Sequence, residues 1–231
     1  MFQKVIFCLL FLFIPLNRAA VNTVANSPFT SSEPVSELAA GEQLFEEMEL
    51  GGTVNFIAFR QAVAGYNRIK EKSKPILTLI DFSKPSTEKR FFVFDMEKKK
   101  LLYSSVVAHG RNSGENYATS FSNQYGSYKS SLGFYLTENT YQGGSGYSLI
   151  LNGLEKGIND KAKARSIVVH RAPYANPSVA ASGRLGRSLG CPALPTKLAR
   201  PIINTIKDGS VMFIYANNPH YLAQSNILHK N

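Results

Sequence analysis

The chain has 231 residues, with 26 Lys and Arg against 16 Asp and Glu, a formal charge of +10, and 44% hydrophobic residues. That length and apolar content fit one globular domain of moderate size with a sizeable core, and exclude a disordered chain. Only two cysteines occur, Cys8 and Cys191, which excludes a disulfide-dense scaffold and any four-cysteine zinc or iron–sulfur site.

Residues 1–25 read as a secretory signal peptide. Lys4 gives a charged start, residues 5–14 are an unbroken apolar run, Pro15 closes it, and small residues follow. The run is short for a membrane span and no stop-transfer pattern follows, so no stable span is expected after cleavage. Export implies a periplasmic or cell-envelope location. Removing Lys4 and Arg18 with this leader lowers the charge from +10 to +8, and removing Cys8 leaves a single thiol. A lone thiol in an oxidising compartment is a buried small hydrophobe, an intermolecular bridge or a reactive group.

Residues 26–35, polar and holding two prolines, read as a linker. The spacing predicts a helix over 36–49, with Leu38, Leu44, Phe45 and Met48 on one face. A second helix is predicted to about Lys72, capped by Thr53 or Asn55, with Phe56, Phe59, Val63 and Tyr66 as its stripe. Together, 36–72 form an N-terminal helical element. From Pro75 the pattern turns to β-branched and aromatic runs at 76–82, 90–95, 101–108, 131–137, 147–151, 166–169 and 211–215. The lysine-rich residues 96–100 read as a hairpin loop, and 143–146 as a glycine-rich turn. A helix is predicted over 196–207, and residues 217–231 as a polar, loosely held tail. The fold class is mainly β with peripheral helices.

The chemistry concentrates between His170 and Cys191. His170 ends a core strand, so its backbone is rigid, and 21 positions separate it from Cys191, enough chain to fold back and bring imidazole to sulfur. A thiol attacks well only as thiolate, which needs a base or a positive field. Gly190 lets the backbone approach a substrate closely, N–H groups around Gly190 and Cys191 could hold an oxyanion, and Arg171, Arg184 and Arg187 make the loop positive. Ser188 is a site-support candidate, and His109, ending an earlier strand, a substrate-binding one. Blander readings stand beside these: an inert thiol, strand-end histidines bonded to backbone, an ordinary turn serine.

A strand ending in His, a loop, then Ser188-Leu189-Gly190-Cys191 resembles the L,D-transpeptidases of bacterial peptidoglycan, the YkuD-like fold. Val106-Val107-Ala108-His109-Gly110, Ser131-Leu132-Gly133-Phe134-Tyr135-Leu136 and Gly209-Ser210-Val211-Met212-Phe213-Ile214 are similar to further elements of that family, so the resemblance covers roughly 75–216. Arg171 stands where the family commonly has Gly, Leu189 where it has His, and Pro192-Ala193 where a branched residue and Arg usually follow. These departures make it similar to the divergent murein L,D-transpeptidase catalytic domain branch. The resemblance implies a β-sandwich-type catalytic domain and acyl transfer from a tetrapeptide stem. Cys191 would be the nucleophile and His170 the base, oriented by a backbone carbonyl, with no cofactor or metal. It implies stem peptides as partners, with anionic wall polymers suited to the basic charge; export disfavours nucleic acid. Alternatives are a hydrolase on the same bond, a sortase-like transpeptidase suggested by Arg200, and an inactive wall-binding protein.

Overall fold

The computed structural model describes residues 35–229. The expected signal peptide, nearly all of the expected linker and the last two residues lie outside them.

Two helices open the described chain. Helix α1 (Val35–Glu47) packs on α2 (Phe56–Arg68). Asn55 is the N-cap of α2: its Oδ1 accepts from Ile57 N at 3.0 Å and Ala58 N at 3.3 Å, two donors that a helix start otherwise leaves unpaired. The helix stops at Arg68, short of Lys72, because Ile69 is already extended. Phe59, Val63 and Tyr66 are buried as the stripe requires, whereas Phe56 is half-buried.

Eight strands follow: β1 (Ile76–Asp81), β2 (Phe91–Asp95), β3 (Lys100–Ser105), β4 (Gly133–Gly143), β5 (Gly146–Gly153), β6 (Val168–Arg171), β7 (Ala193–Leu194) and β8 (Val211–Tyr215). A 3-10 turn (Pro173–Ala175) and the short helix α3 (Pro177–Ala180) interrupt the loop after β6. Helix α4 (Thr196–Ile206) links β7 to β8, and α5 (Pro219–Gln224) follows β8. The strands form one sheet in the order β3-β2-β1-β8-β4-β5-β6-β7. Its two ends then meet. Beyond β3 the chain continues to Ala108, whose N–H and C=O exchange bonds of 2.9 and 3.2 Å with Ala193 of β7, nearly closing the sheet.

Every residue of β1, β2 and β8 is buried, which explains their unbroken apolar runs: a strand covered on both faces does not alternate. An aromatic cluster joins helices to sheet. Phe45 meets Phe56 and Phe59 edge-on, Phe59 meets Phe94 at 5.1 Å, and Phe134 stacks on Phe213 at 4.2 Å. Gly65 of α2 faces this stack so closely that an added Cβ would fall 2.0 Å from Phe134 Cζ. The helical element therefore shares one core with the sheet.

The tail departs from expectation. It is not loosely held: Tyr221, Ser225 and Leu228 are buried. The reason is Glu155, a buried carboxylate that accepts from Phe134 N at 2.8 Å, Tyr221 Oη at 3.1 Å and Ser225 Oγ. Burial pushes the Glu155 carboxyl above its usual range, and these three donors pull it back. A buried carboxylate needs such partners, so the tail is a structural requirement of the core. Tyr221→Ala is expected to cost about 3 kcal/mol, lowering the thermal midpoint by roughly 6–12 °C. Calorimetry of the wild type and the variant checks it; an unchanged midpoint would show that the tail contributes nothing.

Candidate active site

Strand β6 pairs its inner edge with β5, Ser148 opposite His170. On its outer edge, β7 pairs in parallel, Ala193 opposite His170 and Leu194 opposite Arg171. Residue by residue, the edge is satisfied by the segment that carries the thiol. His170 N donates to Pro192 O at 3.4 Å. Two residues back, Val168 N meets Cys191 Sγ at 3.5 Å. The sulfur also lies 3.6 Å from Ser166 O. The loop after β6 therefore folds back, as its length allows, and sets Cys191 beside the strand that carries His170.

The two side chains share this edge without a hydrogen bond between them. His170 Nδ1 lies 2.8 Å from Arg171 O. A carbonyl can only accept, so Nδ1 carries the proton and Nε2 is the basic nitrogen. Burial lowers the His170 pKa, partly offset by that carbonyl, and burial raises the Cys191 thiol. The resting pair is thus a neutral imidazole beside a neutral thiol.

The turn around Cys191 is built from small groups. Ser188 Oγ donates to Cys191 O at 2.6 Å and accepts from Gly190 N at 3.1 Å, closing the turn on itself. Ser188 is buried, so it shapes the turn rather than facing a substrate. Gly190 has φ +125°, and a Cβ there would fall 2.9 Å from both Lys129 O and Ile167 Cδ1. Its N–H is taken by Ser188, so the expectation of Gly190 as an oxyanion donor is corrected. Cys191 N–H has no acceptor among the described residues. Ser130 secures the turn from outside, its Oγ donating to Gly190 O at 3.0 Å and accepting from Gly110 N at 3.0 Å.

The expected arginines are not where the loop's charge suggested. Glu115 takes two of them: Arg184 Nε lies 3.0 Å from its Oε2, and Arg187 Nη1 2.5 Å from its Oε1. Arg171 follows His170 on the strand, so its side chain leaves by the opposite face, where it lies against Gly146 and lines a separate cavity with Arg200. The cation that lowers the Cys191 thiol is Arg165, anchored by Ser122 O, Ser131 Oγ, Ser127 Oγ and Lys129 O at 2.6–3.2 Å. Tyr174 is the other neighbour. Its phenol is pushed up to about 12, by burial first and then by the cysteine's charge. Sequence reasoning missed both. Arg165 sits just before the β6 strand, but nothing local to it says which loop it binds.

His109 is corrected too. It is 1% exposed, with Nδ1 2.7 Å from Arg90 Nη2 and Nε2 3.2 Å from Gly114 O. Arg90 can only donate, which fixes the proton on Nε2, and both nitrogens are satisfied internally. Burial and the Arg90 charge lower its pKa to about 4. Arg90, itself fully buried, bonds Val107 O through Nε and Nη2. The pair braces the segment that closes the sheet; it does not reach a substrate.

The family model described as the L,D-transpeptidase catalytic domain matches residues 51–215. The chain belongs to this L,D-transpeptidase catalytic-domain family. No curated protein sequence matches the chain. Among solved structures, it is similar to an L,D-transpeptidase from Mycobacterium smegmatis at 13% identity, covering 62% of this chain and 59% of that one, with a TM-score of 0.38. It is also similar to an L,D-transpeptidase from Stackebrandtia nassauensis (14%, 81% of each chain, TM-score 0.37) and to L,D-transpeptidase 3 from Mycobacterium tuberculosis (14%, 61% of each chain, TM-score 0.39). The family assignment rests on the family model, not on these superpositions. Among the described residues of this L,D-transpeptidase domain, no helix is long and apolar enough to cross a membrane.

Two measurements test the site's electrostatics. Arg165→Met should move the pH midpoint of Cys191 alkylation by iodoacetamide upward, and Arg165→Lys should move it less. Equal midpoints in all three proteins would remove Arg165 as the thiol's cation. A histidine with a depressed pKa stabilises the fold above its unfolded value and loses that contribution as pH falls to its folded value. Between about pH 6.5 and 4, His109 should therefore withdraw about 3 kcal/mol, and His109→Gln should flatten that part of the stability profile. Urea unfolding at stepped pH reads it; identical slopes would contradict the assignment.

Proposed function

We propose that this chain is a cysteine-dependent acyltransferase on peptidoglycan stem peptides, with Cys191 as nucleophile and His170 as general base and acid. The observation that carries the reading is the register at β6. The single free cysteine among the described residues is seated beside the strand whose end bears a histidine with a basic, unoccupied Nε2.

In the proposed reaction His170 Nε2 takes the Cys191 thiol proton as Sγ attacks the carbonyl carbon between the third stem residue and the terminal D-alanine. Charge develops on the carbonyl oxygen, where Cys191 N–H is the available donor. Collapse breaks the C–N bond, and the imidazolium gives its proton to the leaving D-alanine amine. A thioester on Cys191 remains. An amine of a neighbouring stem resolves it into a cross-link, with its proton passing to His170, or water hydrolyses it. The Nδ1–carbonyl bond serves the orienting role that a carboxylate fills in a Ser-His-Asp triad.

A neutral resting thiol suits this sequence of events. Proton transfer and attack then happen together when substrate displaces water, with no standing thiolate to be oxidised in an exported protein. The envelope location, the stem peptide and any affinity for anionic wall polymers belong to the same reading. Hydrolysis of the same bond differs only in the acceptor.

Purified tetrapeptide muropeptides incubated with the protein decide it by mass spectrometry. Dimers with released D-alanine are expected, and Cys191→Ala should lower turnover by a factor of about 10⁴ or more, with His170→Ala close behind. Tripeptide without dimer would favour the hydrolase. No turnover, and no covalent adduct with an acylating carbapenem, would overturn the enzyme reading and leave a wall-binding protein.

A further inference from the structure

Arg171 and Arg200 are unused by the chemistry above, and they line the same cavity of about 290 Å³ with Gln142, Tyr147 and Thr196. We propose that this cavity is an oxyanion-binding site, taking a carboxylate or phosphate group on the face of β6 opposite His170.

The contrast with the other loop arginines is the starting point. Arg184 and Arg187 share Glu115, so each has a carboxylate partner within the chain. Arg171 and Arg200 have no carboxylate partner among the described residues, and no acid lines their cavity. Both side chains are exposed, so an anion entering the cavity would meet two positive charges that no carboxylate offsets. Their neighbours hold them there. Gly146, at φ +79°, leaves room for Arg171: a Cβ there would stand 3.0 Å from Arg171 Nε. Arg200 is laid over the Tyr147 ring at 4.6 Å, and that ring is fixed by its hydroxyl donating to Asn204 Oδ1 at 2.8 Å. A stacked guanidinium keeps its planar fork of donors turned to one side, ready for bidentate recognition of an oxyanion.

A second observation points the same way. Thr196 opens α4 and its hydroxyl oxygen is buried without any hydrogen-bond partner. Buried hydroxyls are seldom left unpaired, and this one belongs to a residue that lines the cavity with the two arginines, at the positive end of an 11-residue helix whose first N–H, that of Thr196, is taken by Asn176 Oδ1 at 2.9 Å. Two guanidinium forks, a spare hydroxyl and the Gln142 amide are all able to donate. That donor set suits an oxyanion and does not suit a cation or an apolar group.

The site does not depend on Cys191, so its test is separate from the acyl-transfer reading. Isotope-labelled protein is titrated at constant ionic strength with inorganic phosphate and, in a second arm, with acetate, following amide and Arg Nε–H resonances by NMR. Saturable shifts are expected at Gly146, Tyr147, Thr196 and Ala199 and at the two guanidinium groups, and they should persist in Cys191→Ala. The stronger of the two anions identifies whether a phosphate or a carboxylate is the natural group. Arg171→Gln/Arg200→Gln should weaken binding by about tenfold or more. The charge-matched surface variant Lys89→Gln/Lys100→Gln should change it by less than about twofold. Shifts spread over the basic surface, equal losses in both double variants, or no saturation with either anion would overturn the proposal. If the Gln pair fails to fold, Arg171→Lys/Arg200→Lys keeps the charge but removes the fork, and should still bind more weakly than the wild type.

Discussion

The reciprocal bond pair between Ala108 and Ala193 is the constraint on which the site depends. β7 is only two residues long and could not hold its place by its pairing with β6 alone. Ala108 clamps it from the other side, and Gly110 and Ser188 extend the contact one turn further. Cys191 lies between these two fastenings. Its position beside Val168 is therefore a consequence of closing the sheet. Much of the buried polar chemistry serves the closure. Arg90 braces Val107 and His109 from within, while Ser130 ties Gly110 to Gly190. Small residues recur because the strands approach closely: a Cβ on Gly110 would stand 2.6 Å from Tyr128 O and 2.9 Å from Gly190 Cα.

The electrostatics of the site follow from the same burial. A thiol in a strong positive field would rest as thiolate, but Arg184 and Arg187 are both paired with Glu115, which leaves one net positive charge between them, and Arg171 faces away. Desolvation then dominates at both Cys191 and His170, raising one and lowering the other. Opposed shifts of this kind keep the proton on sulfur. Arg165 tempers the thiol's shift without reversing it. Its four bonds to the 122–131 loop mean that the thiol's field is set by how that loop packs.

Much of this was legible in the sequence, for local reasons. Strand runs, the Asn55 cap and the helix after Leu194 follow from period and capping chemistry, which act over a few residues. His170 and Cys191 stood out because one ends a core strand and the other is the only cysteine after residue 25. What escaped was long-range. Glu115 meets Arg187 across 72 positions, and Glu155 meets Ser225 across 70. No local pattern marks an acid as the partner of a distant arginine or serine, so the loop appeared positive and the tail appeared free. His109 failed for a related reason. A strand-end histidine in a polar loop looks like a site residue unless the buried arginine beneath it, 19 positions away, is known.

Strand alternation gives His170 and Arg171 their different fates. Adjacent residues on β6 point to opposite faces, so a single backbone segment carries an imidazole on one face and sends a guanidinium to the cavity by α4 on the other. Arg171 lies against the glycine turn at 143–146 of the β4–β5 hairpin, where Gly146 leaves room for its side chain. Arg171 therefore bears on what the face of β6 away from His170 can hold. An anion seated there would draw Arg171 and Arg200 together and tighten α4 against the end of β6. The carbonyl that orients His170 belongs to Arg171 itself, so ordering that residue would also order the imidazole. Under the proposed function, such binding on one face of the strand would be joined through one peptide unit to proton transfer at His170 on the other.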